Sequence, residues 1–155
     1  MRGKQAPKRT TEPDPKFHRA DVAKFINCVM ERGKKTVAQK IVYGMLEIVA
    51  EKTQKDPVVI FEEAVKNVSP VVEVRSKRVG GGNYQIPVPV RAERRQMLAF
   101  RWLIAAANNG KGRPMAQKLA GEVMAAANNE GAAIKKKLDI HRMAESNRAF
   151  SHFAR

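Results

Sequence analysis

The sequence predicts a mainly α-helical single domain of six helices, with a two-stranded β-hairpin that protrudes between the third and the fourth helix. Three observations predict this fold class. Over most of the chain, apolar residues recur three and four positions apart, which is the spacing of an amphipathic helix. Between residues 71 and 90 they alternate with other residues instead, which is typical of strands. Three consecutive glycines at 80–82 divide that alternating segment and permit a tight turn.

The length of 155 residues fits one domain. Residues 1–19 contain three prolines and few apolar side chains, so we expect a basic, largely extended N-terminal extension there. We expect residues 20–148 to form the helical domain, with the hairpin arm at 71–90. Residues 149–155 then form a basic C-terminal tail.

The first helix begins near Asp21 and ends before Gly33, and four apolar residues share one of its faces. These are Val22, Phe25, Ile26 and Val29. A second helix of the same periodicity continues to about Lys52. Thr36 is its expected N-cap, because a threonine hydroxyl can accept from the free N–H groups of the first turn.

The third helix has its own start and stop signals. Asp56 is placed to cap it, Pro57 occupies the first helical position, and Ser69-Pro70 ends it. Residues 44–74, which include this helix, contain six acidic and three basic side chains. The cationic surface of the protein must therefore lie elsewhere.

The alternating segment predicts a hairpin with a basic tip. Pro87 and Pro89 cannot donate a ladder hydrogen bond, so the second strand needs a free edge, and a projecting two-stranded ribbon provides one. Three basic residues lie toward the tip: Arg75, Lys77 and Arg78. A phosphate-binding loop is the alternative for the glycines, but strand-like residues follow them and no Gly-Lys-Ser/Thr does.

The fourth helix follows Val90 and has an apolar side and a basic side. The apolar side carries Met97, Phe100, Leu103 and Ile104. The basic side carries Arg91, Arg94, Arg95 and Arg101. Such a run is often only a solvated face, but the adjoining ribbon is also basic, so we favour a continuous phosphate-binding surface. Trp102 could stack on a base, although packing in the core or at its edge is the favoured role.

The fifth helix begins at Pro114 and ends before Gly131. The sixth helix presents three basic residues beside a line of apolar residues. The basic residues are Lys135, Lys136 and Arg142. Beyond it lie Phe150 and Phe153, which could dock on the body of the protein or meet a partner.

The overall charge points to a polyanionic partner. Thirty Lys and Arg against fifteen Asp and Glu give a net charge of +15, for which nucleic acid is the leading explanation. No apolar run is long enough to span a bilayer, and the basic N-terminus lacks the apolar core of a secretory signal. We therefore expect a cytoplasmic protein without a membrane partner. The single cysteine, Cys28, excludes an internal disulfide.

We expect no enzymatic activity, no cofactor and no metal site. His18 lies in the extension and His152 in the tail, while Asp139 and His141 are two residues apart and so point to different sides of a helix. No His-Glu-x-x-His pair is present. For His141 we favour a satisfied or an RNA-facing side chain.

Several motifs, in order along nearly the whole chain, resemble bacterial ribosomal protein seven of the small subunit. They are "PDPKF" at 13–17, "GKKTVAQKIVYGMLE" at 33–47, "VRSKRVGGGNYQIPVPVRAERR" at 74–95, "AFRWLI" at 99–104 and "KKKLDIHRMAESNRAFSHF" at 135–153. Six helices with a hairpin between the third and fourth is also the fold that this resemblance implies.

The resemblance implies a structural constituent of the small ribosomal subunit. Proteins of this family bind the 3′ major domain of the small-subunit rRNA and nucleate assembly of the subunit head. They lie near the exit-site tRNA and the path by which mRNA leaves, and they neighbour ribosomal proteins nine and eleven.

Carried onto this chain, the resemblance implies two sets of contacts. The rRNA surface comprises Arg2, Lys4, Lys8, Arg9, Lys34, Lys35, Arg75, Lys77, Arg78, Arg91, Arg94, Arg95, Arg101, Lys135, Lys136 and Arg142. The side near tRNA and mRNA comprises Val79, Gly80, Gly81, Gly82, Asn83, Tyr84, Arg142 and Arg148.

Two alternatives come from other classes of protein. An architectural DNA-binding protein can also embrace a duplex with β-arms, but it is expected to dimerise and to prefer bent DNA. A protein adaptor could bind a partner protein through the acidic second and third helices, but this alternative does not explain the basic surface.

Overall fold

The computed structural model describes Gly3, Ala6 and residues 10–154 of the chain. In this part of the chain six α-helices, two strands and a C-terminal 3₁₀ helix follow one another. They are α1 (Ala20–Val29), α2 (Lys35–Thr53), α3 (Pro57–Val68), β1 (Val72–Val79), β2 (Gly82–Pro89), α4 (Ala92–Asn109), α5 (Met115–Ala127), α6 (Ala132–Ser146) and the 3₁₀ helix (Arg148–Ala154). The predicted fold class, mainly α with a hairpin between the third and fourth helices, is confirmed. None of the helices described is long and apolar enough to cross a membrane.

The chain divides into two compact units, residues 1–40 and residues 41–155. In the first unit a turn precedes α1 and is organised by Asp14, a residue that is only 2 % exposed. Its Oδ2 accepts hydrogen bonds from the backbone N–H groups of Lys16 (3.0 Å) and Phe17 (3.2 Å). Three of the four apolar residues predicted to share one face of α1 are buried: Val22, Phe25 and Ile26.

The predicted N-cap of α2 is wrong. The helix already begins at Lys35, so Thr36 is its second residue and cannot flank it. A backbone turn leads into the helix instead, because Gly33 has a φ of +74° and its carbonyl accepts from the N–H of Lys35 at 2.9 Å. Glycine adopts this left-handed conformation without strain.

The signals for α3 are confirmed. The Asp56 carboxylate accepts from the Val58 N–H at 2.9 Å, Pro57 is the first helical residue, and the helix ends at Val68. A carboxylate at this position also faces the positive end of the helix dipole.

The core of the second unit lies among α3, α4, α5 and α6. The rings of Phe61 on α3 and Phe100 on α4 stack with centroids 6.1 Å apart. The largest buried side chains of this unit also include Met45, Leu46, Leu103 and Leu119, each of which stabilises the fold by about 1.5–3 kcal/mol through burial. Trp102 is half-buried, as expected of packing at a core edge.

The two strands pair antiparallel in a register that runs from Val72 opposite Pro89 to Val79 opposite Gly82. Gly80 and Gly81 form the two-residue turn, with φ of +55° and +91°. Positive φ at both central residues matches the twist of the flanking strands, which explains why glycines occupy this turn. The sheet described contains only these two strands. Pro87 and Pro89 have no N–H to donate, but there is no third strand in this sheet that would need one.

The base of the hairpin is fixed to α6 by His141. Its Nε2 accepts a hydrogen bond from the Val71 N–H at 3.3 Å, so this nitrogen carries no proton. Burial, and then the positive charge of Lys137, lower the pKa of His141 below its usual 6.5. Lys137 itself is held nearby, because its Nζ donates to the Asn67 carbonyl at 2.6 Å. His141 is thus a satisfied histidine in the folded protein.

This contact predicts a loss of stability in mild acid. Because the folded state lowers the pKa of His141, its contribution is complete above the unfolded value near 6.5 and is lost as the pH falls through the folded value. The melting temperature of the protein should therefore be lower at about pH 5.5 than at about pH 7.5. His141→Gln keeps an acceptor but cannot titrate, so it should lose less stability over the same interval. An equal loss in both proteins would contradict the assignment.

A second prediction concerns the start of α6. Gly131 has a φ of +95°, and a Cβ there would lie 2.8 Å from Glu122 Oε1, the atom that accepts from the Ala133 N–H at 2.8 Å. Gly131→Ala should therefore destabilise the protein by more than about 1 kcal/mol. Gly121→Ala is the matched control, since Gly121 lies inside α5 with open space around it. That substitution should stabilise by up to about 1 kcal/mol, and chemical denaturation measures both.

Candidate nucleic-acid interface

The register of the hairpin places three polar residues of β1, Glu73, Arg75 and Lys77, on one face. Their partners on β2 are Val88, Ile86 and Tyr84. Directly opposite residues in an antiparallel pair point to the same side. On this face Ile86 and Glu73 are buried, whereas Arg75 and Lys77 are exposed.

Glu73 joins the hairpin to α4. Its Oε1 accepts from Arg75 Nε at 2.6 Å, and an Arg75 terminal nitrogen also contacts that oxygen. Its Oε2 accepts from Arg94 Nε at 3.3 Å. One buried carboxylate therefore brings together two arginines that the sequence places nineteen positions apart, and both are among the residues predicted to bind RNA.

Arg95 is fixed in a different way. Its Nε donates to the Val90 carbonyl at 2.8 Å, at the point where the hairpin leads into α4. The side chain is half-buried, whereas Arg91 and Arg94 are exposed. One N–H of Arg95 thus holds the junction, and the guanidinium has four further N–H donors.

The tip of the hairpin rests on the C-terminal 3₁₀ helix. The Tyr84 ring lies 5.2 Å from the Phe150 ring and 5.7 Å from the Phe153 ring, measured between centroids. Lys77 Nζ donates to the Phe153 carbonyl at 2.9 Å. Of the two roles left open for these phenylalanines, docking on the protein is therefore the one observed.

The other predicted basic residues of the second unit are exposed. They are Arg78 near the turn, Arg91 and Arg101 on α4, Lys135, Lys136 and Arg142 on α6, and Arg148 on the 3₁₀ helix. Arg148 lies 3.8 Å from Glu145, with both side chains largely exposed, an arrangement that contributes little to stability. The side of α4 that carries the arginines is only partly exposed to solvent, because Leu98 is buried and lies one helical turn from both Arg94 and Arg101.

We call the exposed Lys and Arg side chains of the hairpin, α4 and α6 the basic surface. In the first unit Lys34 and Lys35 are exposed at the start of α2. Four further predicted contacts lie outside the described residues: Arg2, Lys4, Lys8 and Arg9.

Two features of the structure were not predicted from the sequence. Glu73 is one, although its spacing of two from Arg75 already places both on the same strand face. The other is a groove of about 370 Å³ at the turn between α4 and α5, where Lys111, Arg113 and Lys118 lie among its lining residues. The basic residues in the run "NNGKGRP" at 108–114 are the sequence signal for this groove.

A helical body with a basic hairpin beside an arginine-bearing helix is typical of a structural protein that binds nucleic acid. Comparison with known proteins identifies the family within this class. Residues 1–148 match the family model described as Ribosomal protein S7p/S5e.

Curated relatives agree over nearly their full length. The small ribosomal subunit protein uS7 of Thermotoga maritima is 59% identical over 153 residues, which is 99% of each chain. The uS7 proteins of Marinobacter nauticus and Nitrosomonas eutropha are 56% and 54% identical over 152 residues, which is 98% of this chain and 97% of theirs. The chain therefore belongs to the S7 family of small-subunit ribosomal proteins, whose members bind RNA and are not known as enzymes.

The contact at the hairpin tip generates a prediction. Two aromatic pairs contribute about 0.5–1.5 kcal/mol each, so Tyr84→Ala should speed amide hydrogen exchange of residues 79–86 by about tenfold or more. Gln85→Ala, at an exposed position of the same strand, is the matched control and should leave the exchange nearly unchanged. Equal exchange in the two variants would show that the 3₁₀ helix does not hold the tip.

Proposed function

We propose that this chain binds the 3′ major domain of the small-subunit rRNA and nucleates assembly of the subunit head, in the cytoplasm of the cell. It then neighbours the exit-site tRNA, the path of departing mRNA, and ribosomal proteins nine and eleven. The observation that carries the proposal is the fixed hairpin, whose basic side chains continue onto α4 in a member of a ribosomal protein family.

Arginine suits this role because its planar fork donates two hydrogen bonds to one phosphate and can also stack on a base. Arg75 and Arg94 are linked through Glu73, so they approach the RNA as a pair. The major groove of an RNA helix is too narrow for side chains to read. The protein therefore recognises the arrangement of phosphates at a folded junction.

The side near tRNA and mRNA comprises the hairpin tip, residues 79–84, with Arg142 and Arg148. Gly80 and Gly81 carry no side chains, so a nucleic-acid backbone can approach the tip closely. The packing of Tyr84 on Phe150 and Phe153 supports this assignment, because it couples the tip to the segment that carries Arg148.

The division into an extension at 1–19, a helical domain at 20–148 and a tail at 149–155 is also part of the proposal. The basic residues of the extension add contacts to RNA phosphates.

The test is a filter-binding competition at two salt concentrations. The competitors are a fragment of the 3′ major domain, an unrelated RNA of equal length and a DNA duplex. If roughly six to ten phosphates are neutralised, the logarithm of affinity should fall with the logarithm of salt with a slope of roughly −4 to −9. Preference for the fragment should survive at the higher salt. Equal binding to all three, weakening together, would reopen the architectural DNA-binding alternative.

A double substitution tests the basic surface itself. Arg94→Ala with Arg95→Ala should weaken binding to the fragment by roughly tens of fold, since two phosphate contacts are lost, while helical content stays the same. The matched control is Lys52→Ala with Lys66→Ala, which removes two exposed positive charges from the segment 44–74, where acidic side chains outnumber basic ones. If both double variants bind equally well, α4 is not part of the RNA surface.

A further inference from the structure

A buried acid beneath a basic surface requires an explanation. Glu73 is 8 % exposed, and a carboxylate near a bound phosphate repels it. Removal of the carboxylate would raise the net charge above +15, and charge alone then favours tighter binding to every RNA.

The contacts of Glu73 leave most of each arginine fork available. Arg75 uses its Nε and one terminal nitrogen, and Arg94 uses its Nε. A guanidinium has five N–H donors, so both side chains keep outer donors. The side chains of Arg75 and Arg94 are 63% and 45% exposed, and these donors therefore remain accessible to a ligand.

The two arginines come from different elements, β1 and α4. Without an intervening negative charge, their like charges repel and their long side chains sample many rotamers. Glu73 offsets this repulsion and restricts both side chains before any ligand arrives. A pre-organised pair loses less conformational freedom on binding than two mobile side chains do.

We propose that Glu73 is a positioning residue of the RNA-binding surface, which holds Arg75 and Arg94 at a spacing that matches neighbouring phosphates of the folded rRNA. This inference rests on the proposed function. It adds that selectivity for the folded RNA depends on a negative charge within the basic surface.

Glu73→Gln distinguishes positioning from charge. Positioning predicts that binding to the 3′ major domain fragment weakens by about tenfold, because two side chains must be ordered at each binding event. Binding to unrelated RNA should tighten slightly, because one acid is gone. The preference for the fragment thus falls. If Glu73→Gln binds the fragment as tightly as the wild type or more tightly, the proposal is overturned.

Glu145→Gln is the matched control. Glu145 also pairs with an arginine, but at 3.8 Å and with 77% of its side chain exposed, so it does not hold that arginine in one position. Its removal should slightly tighten binding to both RNAs and leave the preference unchanged. A fall in preference equal to that of Glu73→Gln would show that any lost acid has this effect, and would overturn the proposal.

A cycle of substitutions separates positioning from general stability. Arg75→Lys with Arg94→Lys keeps both charges but removes the forks. In that background Glu73→Gln should have little further effect on the preference for the fragment. If Glu73→Gln acted only by lowering the stability of the protein, its effect would instead be the same in both backgrounds. Additive effects would overturn the role assigned to Glu73.

The free wild-type protein provides a readout that depends on no variant. The Nε–H protons of Arg75 and Arg94 should exchange with water about tenfold more slowly than that of the exposed Arg142 in an NMR measurement, because each is bonded to a buried carboxylate. Exchange as fast as that of Arg142 would contradict the geometry.

Absence of any preference for the fragment in the wild type would overturn the proposed function, and the role of Glu73 with it. A preference that Glu73→Gln retains would overturn the role of Glu73 alone.

Discussion

The attachment of the β-hairpin to the helical body is the constraint on which the rest of the structure depends. A two-stranded hairpin alone is marginally stable in water, and a mobile arm cannot hold side chains at a fixed spacing. Three contacts fix it here: His141 with Val71 at the base, Glu73 with Arg94 beside α4, and Tyr84 with two phenylalanines at the tip. Each is made to a different helix.

These contacts give two kinds of role to the basic side chains. Some hold the fold, such as Lys137, which donates to the Asn67 carbonyl, and Arg95, which donates to Val90. Others remain exposed for a polyanion, such as Arg78 and Arg142. The net charge of +15 therefore overstates the number of positive charges available to a polyanion.

Local patterns predicted most of the fold. The helical periodicity, the Asp56 cap and the glycine turn each depend on residues close in sequence, and each is observed. Thr36 failed as a cap because the turn at Gly33 starts α2 earlier. Glu73 with Arg94, and Tyr84 with Phe150, escaped prediction because tertiary packing alone brings them together. Positions of basic residues were thus predictable, but their partners were not.

The proposed function requires the basic surface to contact the RNA directly. The most direct measurement is an NMR titration of the labelled protein with the 3′ major domain fragment, followed by mapping of the backbone shifts. The largest changes should cluster on the hairpin, the start of α4 and the exposed side of α6. Changes concentrated on residues 44–68 of α2 and α3, with the hairpin unaffected, would show that the basic surface does not bind the RNA.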